Sequence, residues 1–206
     1  MPTKADRRKT KTKAALRKAM LELFKEKGPA GLTVSALTER ADINRGTFYL
    51  HYRDGADLLE KVKTEIFEGL TRQLGQINPF DLKTHAEKGE PYPVSVKVLE
   101  YFEAHADFFE IMLGPNGDPT LPGQIKAFMK ERLFTHVFGQ LPDPPGASVP
   151  RDYLIAYMTS ANLGLLMHWF ETGRRLPPKE VGLIITRIMY EGPLLPTGLS
   201  LARQNT

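Results

Sequence analysis

The residues with the clearest chemical pattern lie between Thr33 and Tyr52, in the stretch TVSALTERADINRGTFYLHY. At about 100° of turn per residue, a helix capped by Asn44 carries Phe48 and Tyr52 on one side. Gly46 and Leu50 fall opposite, flanked by Thr47 and Tyr49. The outward side then shows small, hydroxyl and aromatic groups with no carboxylate, which suits a groove lined by phosphates. Arg45, at the start of that helix, could offer a two-point contact to a guanine edge or could simply lie in solvent. A preceding short helix from Val34 to Ala41, with Thr33 as its N-cap, and a three-residue turn complete a helix-turn-helix pattern, whose second helix enters the DNA major groove.

Charge points the same way. Residues 1–53 carry 13 Lys and Arg against 5 Asp and Glu, a net of +8, whereas residues 54–206 carry 15 against 19, a net of −4. A basic head on a mildly acidic body implies a polyanion partner for the head. The alternative is that Lys4 to Lys18 is a solvated tail and helix face. Within it, Lys4 to Lys13 could follow the DNA backbone or minor groove as an arm, or remain a disordered tail.

Other chemistries lack their residues. The chain has no cysteine, so disulfides, thiolate metal sites and cysteine nucleophiles are excluded. His105, Asp107 and Glu110 are neighbours in sequence, but positions two apart face different sides of a helix, and no paired-histidine metal spacing occurs. No serine-elbow, phosphate-loop or dinucleotide fingerprint is present. Neither a metal nor a cofactor is expected, and the protein is not expected to be an enzyme. The most apolar run, Leu163 to Phe170, is interrupted by His168 and is far short of the roughly 18 residues of a membrane span. The N-terminus leads into Lys, Arg and Thr rather than an apolar segment, so a cytoplasmic protein without membrane contact is expected.

The elements that must position these residues read as helix after helix. A chain of 206 residues, 41% hydrophobic and 25% charged, has an ordinary globular composition. Ala15, Leu16, Ala19, Met20, Leu23 and Phe24 repeat at helical spacing, and Gly28-Pro29 ends that helix. A longer helix runs from about Asp54 to Gly75. Asn78 to Pro93, with three prolines, reads as a loop. Helices follow at Val94–Leu113, with a possible kink near His105, and at about Leu121–Phe138, Arg151–Thr172 and Pro178–Glu191. No alternating strand pattern is present. The expected fold is all-α, with about nine helices: a helix-turn-helix DNA-binding domain over residues 1–53 and a larger body over 54–206.

The stretch from Leu32 to Leu59 resembles the signature of the TetR family of bacterial transcriptional regulators. Thr33, Val34, Ala41, Gly46, Thr47, Phe48, Tyr49, His51 and Leu58 match the family pattern as they stand. There are three departures. Asp42 replaces the usual turn glycine, though Asp tolerates left-handed backbone; Asn44 replaces a serine and caps as well; and Gly55 stands where members carry a phosphate-touching lysine. A lysine restored at Gly55 is expected to tighten DNA binding. The resemblance implies that Thr33, Tyr49 and His51 touch phosphates, while Arg45, Gly46, Thr47 and Leu50 lie nearest the base edges. For Tyr49 and His51 a packing role is the alternative.

For the body, the resemblance implies a cavity for a small apolar or amphipathic effector of unknown identity. Its candidate lining is Tyr101, Phe102, His105, Phe109, Met112, Phe128, Asn162 and His168, whose plain alternative is core. It also implies a homodimer built from the last two long helices. The apolar stripes carrying Ile155, Leu166, Trp169, Val181, Ile185 and Ile188 would form its interface. The expected function is a ligand-responsive regulator on double-stranded DNA, a repressor released from a near-palindromic operator. The rival readings are an effector-independent binder or adaptor of the same fold, and an all-α enzyme or ligand carrier with an incidental basic end.

Overall fold

Ten α-helices and one short 3-10 turn, with no strand, make up the described residues of the computed structural model, which are 4–74, 78–133 and 148–193. In chain order the helices are α1 (Lys4–Lys27), α2 (Val34–Arg40), α3 (Arg45–Tyr49), α4 (Gly55–Leu74), α5 (Pro79–Glu87), α6 (Pro93–Ala104), α7 (Ala106–Met112), α8 (Leu121–Leu133), α9 (Arg151–Glu171) and α10 (Pro178–Glu191). The sequence expectation that the helix from Leu121 continues to Phe138, the proline break from Pro142 to Pro145 and the tail beyond residue 193 lie outside the described residues. No helix is long and apolar enough to cross a membrane among the described residues.

The chain divides into two compact units, Met1–Thr71 with His105–Leu121, and Arg72–Ala104 with Pro122–Thr206. In the first, the apolar stripe of α1 is buried as its spacing predicts: Leu16, Ala19, Met20, Leu23 and Phe24 are all inside. They form one core with Leu37 of α2, Phe48 of α3, Leu58 and Ile66 of α4, and Phe108, Phe109 and Met112 of α7. Burial of this contiguous apolar set is the main force that holds the short α2 and α3, since helices of five to seven residues do not form alone.

The second unit is organised around α10, which lies against α5, α6 and α9. Gly182 permits its closest approach, because a Cβ there would come within 2.9 Å of Val96 Cγ2 on α6. One turn on, the buried Thr186 hydroxyl donates to the Gly182 carbonyl at 2.7 Å and accepts from the Tyr92 N–H at 2.8 Å, which ties α10 to the start of α6. Trp169 is buried and its indole N–H reaches the Leu176 carbonyl at 2.8 Å, closing the α9–α10 connection.

Two expectations from sequence change here. The proline-rich segment read as a loop contains α5, because Pro79 occupies the first helical position, where no N–H is needed. The segment Val94–Leu113 is two helices rather than one. His105 leaves the helical conformation (φ −118°, ψ 26°) and its carbonyl accepts from the Phe108 and Phe109 N–H groups to start α7. The break has a packing cause: Leu99 and Phe102 are buried in the second unit, Phe108, Phe109 and Met112 in the first.

Candidate nucleic-acid interface

Local capping sets the geometry of α2 and α3. The Thr33 hydroxyl accepts from the Ala36 N–H at 3.2 Å and starts α2. After Ala41, Asp42 adopts left-handed backbone (φ 52°), and the Ile43 N–H returns to the Thr38 carbonyl at 3.0 Å. The turn thus forms without the glycine. Asn44 Oδ1 then accepts from the Thr47 N–H at 2.7 Å and starts α3. An Asx-type cap of this kind stabilises a helix end by about 1 kcal/mol, a large share for an element of one and a half turns.

The rotation of α3 is decided by Phe48, which has no exposure, and by Tyr52, whose ring lies 5.8 Å from it. With those two inward, Arg45 and Gly46 are exposed, Thr47 is half-buried, and Tyr49 and Leu50 are 58% and 81% exposed. A leucine that bare, directly after α3, adds little packing to the protomer. Thr33 is also exposed, and His51 is half-buried beside Tyr52 at 6.1 Å between rings. Burial lowers the His51 pKa, and the nearby charges of Lys9 and Lys13 add to it. The imidazole is therefore held toward its neutral form by its own surroundings.

The junction to α4 contains a hub that sequence reasoning missed. The Asp57 carboxylate accepts from the Arg53 backbone N–H at 3.0 Å and from Lys61 Nζ at 2.9 Å, and lies 3.3 Å from the Arg53 guanidinium. These donors, the Arg53 N–H foremost, bring its pKa down to about 2. Lys61 in turn donates to the His51 carbonyl at 3.1 Å and sits 5.3 Å over the Tyr52 ring. The exit of α3 is thereby fastened to α4. Its signal in the sequence was the spacing Arg53–Asp57–Lys61, two successive (i, i+4) ion pairs.

Gly55 corrects the expectation drawn from the missing lysine. It is buried at the first position of α4, and a Cβ there would overlap the Leu32 carbonyl oxygen and lie 2.9 Å from Leu32 Cβ. A lysine at this position would strain the fold before it reached any phosphate.

The other candidate residues are divided between the units. His105, Phe109 and Met112 belong to the first, where Phe109 and Met112 are fully buried core. Tyr101, Phe102, Phe128, Asn162 and His168 belong to the second. There Tyr101, Phe128 and Asn162 are half-buried, Phe102 is buried with its ring 6.4 Å from Phe170, and His168 is exposed. The Asn162 amide donates to the Met158 carbonyl at 2.9 Å.

Five of the six residues of the expected dimer stripe lie inside one protomer. Ile155, Leu166, Trp169, Val181 and Ile185 are buried within a single chain, and Ile188 is half-buried. Residues already covered by their own protomer cannot meet a partner; they are the core beneath the surface. The apolar side chains that α9 and α10 leave outside are Tyr153, Leu154, Tyr157, Ile184 and Tyr190.

Comparison with known proteins accords with this architecture. Residues 16–62 match the family described as bacterial regulatory proteins of the tetR family, and residues 89–191 match a transcriptional regulator C-terminal region. An uncharacterized HTH-type transcriptional regulator, YxbF of Bacillus subtilis (strain 168), is 29% identical over 180 residues, which cover 84% of this chain and 43% of that relative. The chain thus spans less than half the length of this relative. Among solved structures, a TetR transcriptional regulator from Streptococcus agalactiae 2603V superposes with a TM-score of 0.61 at 21% identity, over 89% of this chain and 96% of that one. The dihydroxyacetone kinase operon activator DhaS gives 0.57 at 14% identity, over 86% and 93%. These likenesses establish the fold, and the two matched regions, one carrying the capped α2–α3 pair and the other α6 to α10, establish the membership: the chain belongs to the TetR family of bacterial transcriptional regulators.

Proposed function

We propose that the protein is a cytoplasmic, homodimeric, ligand-responsive repressor that binds a near-palindromic DNA operator. The supporting observation is α3 with the following Leu50, which leaves Arg45, Gly46, Tyr49 and Leu50 outside, with no carboxylate from Arg45 to Leu50. Residues 1–53 would hold DNA and 54–206 the effector and the partner. Tyr49, Thr33 and His51 would touch phosphates, and Arg45, Gly46, Thr47 and Leu50 would read base edges. Repression needs only occupancy of the operator, with no further contact to polymerase. DhaS, described as an activator, has the same fold, so the sign is tested by a reporter carrying the selected operator.

Selection of bound sequences from a random duplex pool is the direct test. If the dimer neutralises about 6–10 phosphates, affinity falls by about 10³–10⁵ between roughly 50 and 200 mM salt. Tyr49→Ala and Leu50→Ala should weaken binding to the selected duplex while moving stability by less than about 0.5 kcal/mol, as for exposed positions generally. A flat salt response would end the DNA reading.

For the dimer, the proposal uses the outer face of α9, where Tyr153 and Tyr157 are 69% and 52% exposed. Pairing two copies through one self-complementary patch gives the two-fold symmetry that a palindrome requires. Tyr157→Glu is expected to yield folded monomers in sedimentation. Ile185→Glu, in contrast, places a carboxylate inside the protomer and is expected to unfold it, because burying an unpaired charge costs several kcal/mol. An intact Tyr157→Glu dimer would move the interface elsewhere.

The effector reading rests on Tyr101, Phe102, Phe128 and Asn162, apolar rings with two polar groups inside one unit, a composition typical of small-molecule sites. The proposal leaves out Phe109 and Met112, which are core of the other unit, His105, which belongs to that unit as well, and His168, which is exposed.

A further inference from the structure

Tyr49 and Leu50 stand apart in the first unit. Among its described residues they are the only large apolar side chains left exposed, at 58% and 81%. The Tyr49 ring is held edge-on against Phe48, with centroids 5.7 Å apart, whereas Leu50 closes α3 as its C-cap. One turn back on the same side lies Gly46, whose carbonyl accepts from the Leu50 N–H at 3.3 Å. The protomer does not need a glycine there. A Cβ at Gly46 would meet only the Asn44 Oδ1, at an ordinary 3.5 Å, and the backbone is helical. Alanine would fit and is the better helix former. Gly55 differs, because there Leu32 fills the space.

The outer side of α3 therefore carries an open gap at Gly46 and an apolar projection at Leu50, with no charged residue between them in the chain. Leucine has neither a donor nor an acceptor. Laid against a polar base edge, it would strip water from that edge and leave its groups unpaired, which costs free energy. In the major groove the base pairs offer one apolar group, the C5-methyl of thymine. It is also a small protrusion, of the size that the space over Gly46 admits and that an alanine side chain would take up.

We propose that Gly46 and Leu50 together form a reader of the thymine C5-methyl group, so that each operator half-site carries a thymine whose methyl rests against Leu50. The proposal rests on the DNA-binding reading above and adds to it the base and the atom recognised. Its contribution is sequence preference, since a methyl in the groove distinguishes thymine from every other base.

The test uses the full chain and the duplex it selects. Each thymine is replaced in turn by 2′-deoxyuridine, symmetrically in both half-sites, which removes the methyl and keeps the base pair. At one position affinity should fall about fourfold per half-site, about fifteenfold in all, the worth of one buried methyl group at each. In Leu50→Ser the same replacement should cost nothing. Leu50→Met, which keeps a long apolar side chain, should retain most of the penalty. Gly46→Ala should melt no lower than the parent, yet bind the thymine duplex at least about fivefold more weakly, the lower end of what overpacking costs. Both positions are exposed, so the melting temperature serves as a folding control. The proposal is overturned if no thymine-to-uracil change weakens binding, or if the penalty persists in Leu50→Ser, as it would if the methyl acted through DNA stiffness. It is overturned equally if Gly46→Ala binds as tightly as the parent. In each of these outcomes the parent still binds its duplex and the α3 reading stands. A parent that selects no duplex overturns both.

Discussion

Gly55→Ala should lower the melting temperature by roughly 6–12 °C, although alanine is the better helix former. Helix propensity alone favours the substitution by up to about 1 kcal/mol. Opposing it is a clash that no rotamer can relieve: the new Cβ would overlap the Leu32 carbonyl oxygen and lie 2.8 Å from the Leu32 carbonyl carbon. Backbone must move, either at the start of α4 or at the junction into α2. Overpacking of a filled interior costs typically 1–3 kcal/mol and sometimes more. We expect about 3 kcal/mol net, which at about 2–4 °C per kcal/mol gives the stated shift. Because the displaced segment precedes Thr33, DNA affinity should fall with stability. Gly55→Lys should be at least as damaging. A calorimetric scan in which Gly55→Ala melts with or above the parent would show that α4 has room to spare beside Leu32.

Lys63→Met should cost about 3 kcal/mol, and the double substitution Lys63→Met/Asp118→Asn should recover most of it. Lys63 lies on the buried face of α4, its ammonium 2.6 Å from Asp118 and 3.2 Å from Glu60, and the side chains of Lys63 and Asp118 are only 6% and 12% exposed. Burial opposes the charge on Lys63, but the Asp118 and Glu60 carboxylates outweigh it and raise its pKa. Burial likewise works against the Asp118 carboxylate, and Lys63 with the Thr120 N–H and hydroxyl more than compensate, so its pKa is lowered. Removing one partner of a buried pair costs about 3–5 kcal/mol because the other charge stays behind. Asp118 retains two bonds from Thr120, at 2.9 and 2.6 Å, which puts the loss at the lower end. Asn at position 118 keeps an acceptor for Thr120 and carries no charge. The linkage gives a second readout. A carboxyl depressed in the folded state contributes stability that is complete above its unfolded pKa and lost as pH falls through the folded one. Denaturant titrations from neutral pH into the acid range should show this loss in the parent and lack its Asp118 component in the double variant. A double variant as unstable as Lys63→Met would refute the charge-pair account.

How much of this was legible beforehand follows from the range of the interactions involved. The Thr33 and Asn44 caps, the Asp42 turn and the inward turn of Phe48 are settled within a few residues, so spacing and side-chain chemistry sufficed. The Arg53–Asp57–Lys61 spacing is equally local, but it specifies only two ion pairs. That Lys61 also reaches back to the His51 carbonyl depends on how the chain turns between α3 and α4. The division of Val94–Leu113 at His105 was only half visible. No helix breaker marks it, and its cause is that the two halves bury their apolar faces in different units.

By itself, the sequence determined an all-helical chain, the helix-turn-helix with its outward residues, the +8 head and the family to which the whole belongs. Each of these depends on periodicity, capping or charge count, which are properties of neighbouring residues. Tertiary structure decided three matters. An apolar stripe specifies that a face is buried but not against what, and Ile155, Leu166, Trp169, Val181 and Ile185 proved to face their own protomer. A glycine that departs from a family pattern can be a missing phosphate ligand or a required gap; the Leu32 carbonyl, 23 residues away in the chain, makes Gly55 a gap. A run of lysines and arginines specifies charge but not shape, and only the structure shows Lys4 to Lys13 continuing α1 as one helix. In each case the deciding atoms are distant in sequence or set by the course of the backbone, where one-dimensional periodicity carries no information.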